Sequence, residues 1–122
     1  MDNGEKKAKK QNLHSFVKAT LRSASLRWWA RESVFKRIKV DRGQYRCEEC
    51  KEIFKRGEIQ IDHVEPVIDI RLGFTTWDDY IMRLFVEPEK LQGICKSCHE
   101  SKTLREDAMR EHFNKKRKKN EK

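Results

Sequence analysis

The sequence has no long apolar run. Its first ten residues, MDNGEKKAKK, are charged where a signal peptide needs an apolar stretch, so export is not expected. Nothing approaches the ~20 apolar residues of a membrane-spanning helix, which excludes a helical membrane protein. Internal repeats are missing beyond one pair of cysteine motifs, and 122 residues leave room for a single domain with a modest apolar core. Something besides apolar burial must therefore help to hold the chain together.

Four cysteines are the candidates for that constraint. They fall in two knuckles, Cys47-Glu48-Glu49-Cys50 and Cys95-Lys96-Ser97-Cys98. Two disulfides are the competing use, but without an export signal the expected compartment is the reducing cytoplasm, where paired Cys-x-x-Cys motifs are better read as metal thiolates. Zinc prefers four tetrahedral thiolate or imidazole ligands, and a two-residue gap lets both sulfurs of one knuckle reach one ion. With 44 residues between Cys50 and Cys95, such an ion would clasp two distant segments around an inserted unit. Four protein ligands leave no open position for a substrate, so the role expected of this zinc is structural. Cys95-x-x-Cys98-His99 also fits a c-type haem attachment signature, but that reading needs export and leaves Cys47 and Cys50 without a purpose.

The net charge of +9 is unevenly placed. Residues 11–46 carry nine Lys and Arg against two acids, whereas residues 47–114 carry ten against fifteen. Both ends are basic, the last eight residues being KKRKKNEK. A polyanionic partner would be gripped by the N-terminal segment and the tails, leaving the chemistry to the acidic middle. The plainer reading of the tails is that their lysines keep the chain soluble.

Residues 1–11 and 114–122 have almost no apolar residues and are expected to be disordered basic arms. Leu13, Phe16, Val17 and Leu21 recur at helical spacing, and a second helix is expected from Leu26 to Ile38, with Leu26, Trp29, Ala30 and Val34 on one face. Asp41-Arg42-Gly43 closes this 12–41 helical segment. Ile59 and Ile61 alternate as in a strand ending at Asp62-His63. Thr75-Thr76 caps a helix whose Trp77, Tyr80, Ile81, Leu84 and Phe85 face a core. A short strand from Leu91 to Ile94 leads to the second knuckle, and a last helix is expected from His99 to Phe113.

Three segments carry a resemblance: Tyr45-Arg-Cys-Glu-Glu-Cys50, Ile61-Asp-His-Val-Glu-Pro66, and Leu91-Gln-Gly-Ile-Cys-Lys-Ser-Cys-His-Glu-Ser-Lys-Thr103. In that order they resemble the HNH endonuclease family. The stretch Thr76-Trp-Asp-Asp-Tyr-Ile-Met-Arg-Leu-Phe85 narrows the resemblance to small HNH proteins of tailed bacteriophages. It implies an α+β fold: a treble-clef-like ββα-metal core over residues 42–113, with N-terminal helices and the four-cysteine zinc knuckle pair. It also implies roles. His63 would be the general base, Asp62 and His99 would hold one catalytic divalent ion, and Thr103, one helical turn past His99, would lie near the metal or the scissile phosphate. The partner implied is DNA, with phage DNA-packaging or recombination proteins as possible associates and the host cytoplasm as the location.

The chemistry of phosphodiester hydrolysis supports the roles that the resemblance implies. Neutral imidazole titrates near pH 7 and suits a proton acceptor. A hard divalent cation held by only two side chains keeps positions open for the phosphate and the departing oxygen, which favours Mg²⁺ or Mn²⁺, while an imidazole ligand also admits Ni²⁺, Co²⁺ or Zn²⁺. Seen alone, Asp62-His63 reads as a hydrogen-bonded structural pair, and His99 as a helix-start residue or a further zinc ligand. Trp77, Tyr80 and Phe85 read as core. Trp28 and Trp29 cannot share one helix face, so one of them is a candidate for exposure to a partner or DNA. His14 and His112 have no partner at ligand spacing. In one respect the chain departs from the family: Lys90 stands where the Asn of the motif usually precedes Leu-Gln. The rival readings are a non-catalytic zinc module that binds nucleic acid and an accessory subunit of a phage DNA-processing complex.

Overall fold

A computed structural model describes residues 10–120, with side chains through residue 118. Most of the expected N-terminal arm lies outside these residues, as do positions 121 and 122. The fold is α+β. Two helices, α1 (Leu13–Ser25) and α2 (Trp29–Ile38), precede a three-stranded antiparallel sheet of β1 (Lys39–Asp41), β2 (Gln44–Arg46) and β3 (Ile53–Phe54). A separate antiparallel pair, β4 (Ile59–His63) and β5 (Leu91–Cys95), encloses α3 (Trp77–Leu84) within its connection, and β5 runs directly into α4 (Lys96–Asn120). No helix among the described residues is long and apolar enough to cross a membrane.

Local chemistry accounts for the element ends. Asn12 caps α1 by accepting a hydrogen bond from Ser15 N at 3.0 Å, and Thr76 caps α3 by accepting one from Asp79 N at 3.0 Å. Asp41-Arg42-Gly43 turns the chain from β1 into β2, with Gly43 at φ 72°, a left-handed position that costs glycine little.

The second helix starts later than the sequence pattern suggests. Amides 26–28 bond to carbonyls three residues back, which forms a turn and leaves Leu26 outside α2. The buried face is therefore Ala30, Val34 and Ile38, at spacing four, while Leu26 and Trp29 are exposed. That face lies on β5 over Gly93, where an added Cβ would sit 2.6 Å from Ile38 Cδ1. Ile59, Leu91, Ile94, Tyr45, Cys47 and Cys95 complete this core. A second cluster joins Val67, Tyr80 and Leu84 to Trp77, Phe85, Phe74 and Leu21, so the expected inner face of α3 is formed, although Ile81 stays exposed.

The last helix is longer than expected at both ends. It begins at Lys96 because β5 feeds it without a loop, and it continues through residues 114–120, which the composition marks as an irregular tail. Lysine and arginine are good helix formers once a helix is nucleated. Arg117 adds a tertiary tie by donating to Arg71 O at 3.1 Å, and Lys115 pairs with Glu111 one turn back.

Candidate functional site

The two knuckles meet. Cys47 Sγ lies 3.8 Å from Cys98 Sγ, and Cys50 Sγ lies 3.9 Å from Cys95 Sγ, with all four sulfurs within 4.8 Å of one another. Four thiolates at about 2.3 Å around a tetrahedral zinc stand about 3.8 Å apart, so the cluster has the dimensions of a closed four-sulfur site. The thiols are free rather than joined in disulfides. Cys50 N and Cys95 N both point at Cys47 Sγ, at 3.4 and 3.3 Å. Burial pushes the Cys47 thiol up, but the amides of Cys50, Cys95 and Glu49 together outweigh it and bring the pKa down to about 7. These four cysteines can bind a metal such as zinc.

Glu48 fixes the first knuckle against the rest of the fold. Its carboxylate takes both Arg37 Nη2 and Nε, at 2.7 and 3.2 Å, and accepts from Gly93 N at 2.9 Å, while its own amide donates to Gly93 O. Lys51, just past Cys50, closes the knuckle with φ 69°, an uncommon conformation for a residue with a side chain. Neither feature has a signature in the spacing of the cysteines.

At the other end of β4, the structure brings Asp62 and His99 together, while the ring of His63, the next residue of the strand, turns to Leu84. Asp62 stands on β4, and His99 stands in the first turn of α4, four residues after the end of β5. Asp62 Oδ1 and His99 Nε2 are 3.9 Å apart, too far for a hydrogen bond. Two atoms that each lie about 2.1 Å from one ion are separated by about 3 to 4.2 Å, depending on the angle between them. The separation thus fits two ligands of a common cation. Asp62 Oδ2 is buried and lacks a hydrogen-bond partner among the described residues. Lys102 Nζ sits 2.8 Å from this oxygen, at ion-pair distance but off the direction of a hydrogen bond, and donates instead to His63 O and Glu106 Oε2, both at 3.0 Å. Burial works against the Lys102 ammonium, but the carboxylates of Asp62 and Glu106 hold its pKa above the ordinary lysine value.

The His63 ring is tied down from α3. Leu84 is the last residue of that helix, so its carbonyl is free of helical bonding and lies 2.8 Å from His63 Nε2. A carbonyl only accepts, so Nε2 carries the proton and Nδ1 keeps its lone pair. Burial lowers the His63 pKa below the usual histidine value; the Leu84 carbonyl works the other way, and Arg31 and Arg22 push it further down. Arg31 is anchored by its bonds to Ser25 O and Ile61 O, and Arg22 by its bond to Tyr80 OH.

Comparison with protein-family models, curated proteins and solved structures finds no match.

A recess of about 200 Å³ opens beside His63, lined by Glu65, Met82, Arg83, Val86 and Lys90. Asp62 and His99 are not part of its wall. Lys90 is exposed, and its carbonyl accepts a hydrogen bond from Val64 N at 2.9 Å. Thr103 is exposed on α4, and no hydrogen bond of its hydroxyl occurs among the described residues. Lys102, Arg31, Arg22 and the Leu84 carbonyl are the neighbours that the sequence reading passed over. Of these, only Lys102 had a visible cue, its place one turn after His99.

Proposed function

We propose that the chain is a metal-dependent HNH-type endonuclease that hydrolyses DNA phosphodiester bonds, with a structural zinc in the four-cysteine cluster. The observation that carries this reading is the 3.9 Å separation of Asp62 Oδ1 and His99 Nε2, with the neighbouring His63 lowered in pKa by burial. The β4–β5 pair followed by α4 has the order of a ββα-metal core, and the sulfur cluster at the far end of β5 matches the zinc knuckles of a treble-clef-like version.

In this reading His63 Nδ1 accepts the proton of the attacking water, while Nε2–H stays on the Leu84 carbonyl and fixes the ring. Asp62 and His99 would hold a divalent ion, Mg²⁺ or Mn²⁺ best and Ni²⁺, Co²⁺ or Zn²⁺ by chemistry, which supplies charge neutralisation for the phosphate and the leaving oxygen. Burial lowers the pKa of the base, Arg31 and Arg22 add to that shift, and their charge draws a phosphate towards it. The missing Asn at position 90 is compensated by two backbone acceptors. The Leu84 carbonyl orients the base, and the Lys90 carbonyl holds the residue that follows it. The Lys90 side chain is left to meet a phosphate.

The test is relaxation of supercoiled plasmid in Mg²⁺ or Mn²⁺. Nicked or linear product is expected, abolished by EDTA and by His63→Ala. Retarded but uncut DNA would overturn the hydrolase reading.

Lys102 favours a second reading. An ammonium 2.8 Å from Asp62 Oδ2 already compensates that carboxylate, as it would in a non-catalytic zinc module that only binds nucleic acid. Such a module gives the uncut outcome in every metal. An accessory subunit of a phage packaging or recombination complex gives it only until the partner is added.

A further inference from the structure

We infer that the groove between α2 and β4 is a binding site for an unstacked nucleobase, so that the preferred nucleic acid is single-stranded, frayed or flapped rather than an intact duplex. This rests on the nucleic-acid reading above but not on cleavage. The two adjacent tryptophans have separate fates. Trp28 turns inward, donating from its indole N–H to Val86 O at 2.7 Å and meeting Phe85 edge-on, whereas Trp29 is 52% exposed. The Trp29 ring meets Trp28 at one edge, with centroids 6.0 Å apart, and the rest of it stands in solvent at the first residue of α2.

Trp29 lines an open groove of about 360 Å³ together with Arg27, Arg31, Phe35 and Arg56, and with Ile61 on its floor. Three arginines face one carboxylate there, Glu32, which Arg56 engages at 2.7 Å. Arg56 is already engaged by Glu32 and lies over the Phe35 ring, and Arg31 donates to two backbone carbonyls, so the positive charge left facing the groove is chiefly that of Arg27, which a phosphate complements. An aromatic face among cations is the combination that holds single strands, because every base offers a π-face and every nucleotide a charge. Inside a duplex both faces of each base are already covered by its neighbours, so away from the two ends Trp29 can stack only on a base that has left the helix.

The groove also leads to the site. Arg31 lines it and donates to Ile61 O at 3.1 Å, one residue before Asp62, and its charge acts on both Asp62 and His63. A strand with one base on Trp29 would pass its next phosphates along Arg31 towards Asp62 and His63.

The experiment is binding of fluorescein-labelled dT20 and of a blunt 20-base-pair duplex to the full chain in EDTA, read by anisotropy, with far-UV circular dichroism confirming that each variant is folded. The expected result is at least tenfold tighter binding of dT20. Trp29→Ala should weaken dT20 binding by roughly tenfold, in line with stacking on one base, and leave duplex binding within twofold, while Trp29→Phe restores most of the loss. Equal affinity for the two DNAs, or a folded Trp29→Ala variant that binds dT20 as well as the parent chain, overturns the inference. Plasmid relaxation separates the two readings. Cleavage that persists with no single-strand preference removes the groove and keeps the nuclease, whereas Trp29-dependent dT20 binding without cleavage does the reverse.

Discussion

Asp62 and His99 face each other across 3.9 Å, one at the end of a strand and the other in the first turn of the helix that follows its partner strand. The pairing of β4 with β5 sets this separation, because Asp62 stands opposite Gln92, and the chain from Gln92 enters α4 after only three more residues. The two side chains are therefore expected to be needed together. Asp62→Asn and His99→Ala should each lower metal-dependent plasmid cleavage by at least 100-fold, with zinc content by atomic emission unchanged. A variant that loses zinc as well would show that the two metal positions are not independent.

The sulfur cluster should carry much of the stability. Structural zinc sites contribute on the order of 10 kcal/mol to folding, and this chain has only a small core around Val34 and Ile94. One zinc per chain is expected on purification. Cys95→Ser should remove it and abolish the cooperative thermal transition, because Cys95 joins β5 to α4 and ties the sulfur cluster to the apolar core in which it is buried. A Cys95→Ser protein that melts like the parent chain would contradict a structural role.

Backbone shape gives a pair of opposite expectations. Gly93→Ala places a methyl 2.6 Å from Ile38 Cδ1, in the tightest part of the α2–β5 contact, and should cost about 1–3 kcal/mol in urea unfolding. Lys51→Gly relieves a left-handed residue at φ 69° and should cost nothing, or add up to about 1 kcal/mol. Similar values for the two variants would show that α2 does not approach β5 as closely as the packing indicates.

The pH profile follows from His63. Its folded pKa is lowered, first by burial and then by Arg31 and Arg22 against the opposing pull of Leu84 and Asp62, so the neutral base persists below the pH at which a free histidine is half protonated. A cation on Asp62 would push in the same direction. The acid limb of kcat/KM should therefore have its midpoint below about 6.5, the ordinary histidine value. The same sign applies to stability, which should fall as pH drops through 6.5, because the unfolded chain then takes up a proton that the folded chain resists. A midpoint above 7 would remove His63 as the base.

Much of this was legible in the sequence where local pattern decides structure. The Cys-x-x-Cys pairs, the alternation of Ile59 and Ile61, the Thr76 cap and the spacing of Tyr80 and Leu84 each act within a few residues. The residues that tune the site were not legible, because their partners are distant in the chain. His63 finds Leu84 O 21 residues away, Lys102 reaches back 39 residues to His63 O, and Arg31 lies 30 residues before Ile61. The face of α2 differs from the one its hydrophobic spacing suggests for a related reason: a turn at Leu26 to Trp28 resets the helical phase, and that spacing carries no mark of the turn. The helix α4 runs further than its composition suggests, because a lysine-rich tail has the same sequence whether it is solvated coil or the solvated end of a helix anchored further back.

The most direct measurement is anomalous diffraction from crystals of the full chain soaked in Mn²⁺. The account predicts two separate peaks, zinc among the four sulfurs and manganese within about 2.3 Å of both Asp62 Oδ1 and His99 Nε2, with Lys102 still on Asp62 Oδ2. A map with zinc alone, and Lys102 as the only cation on Asp62 at saturating manganese, would contradict it.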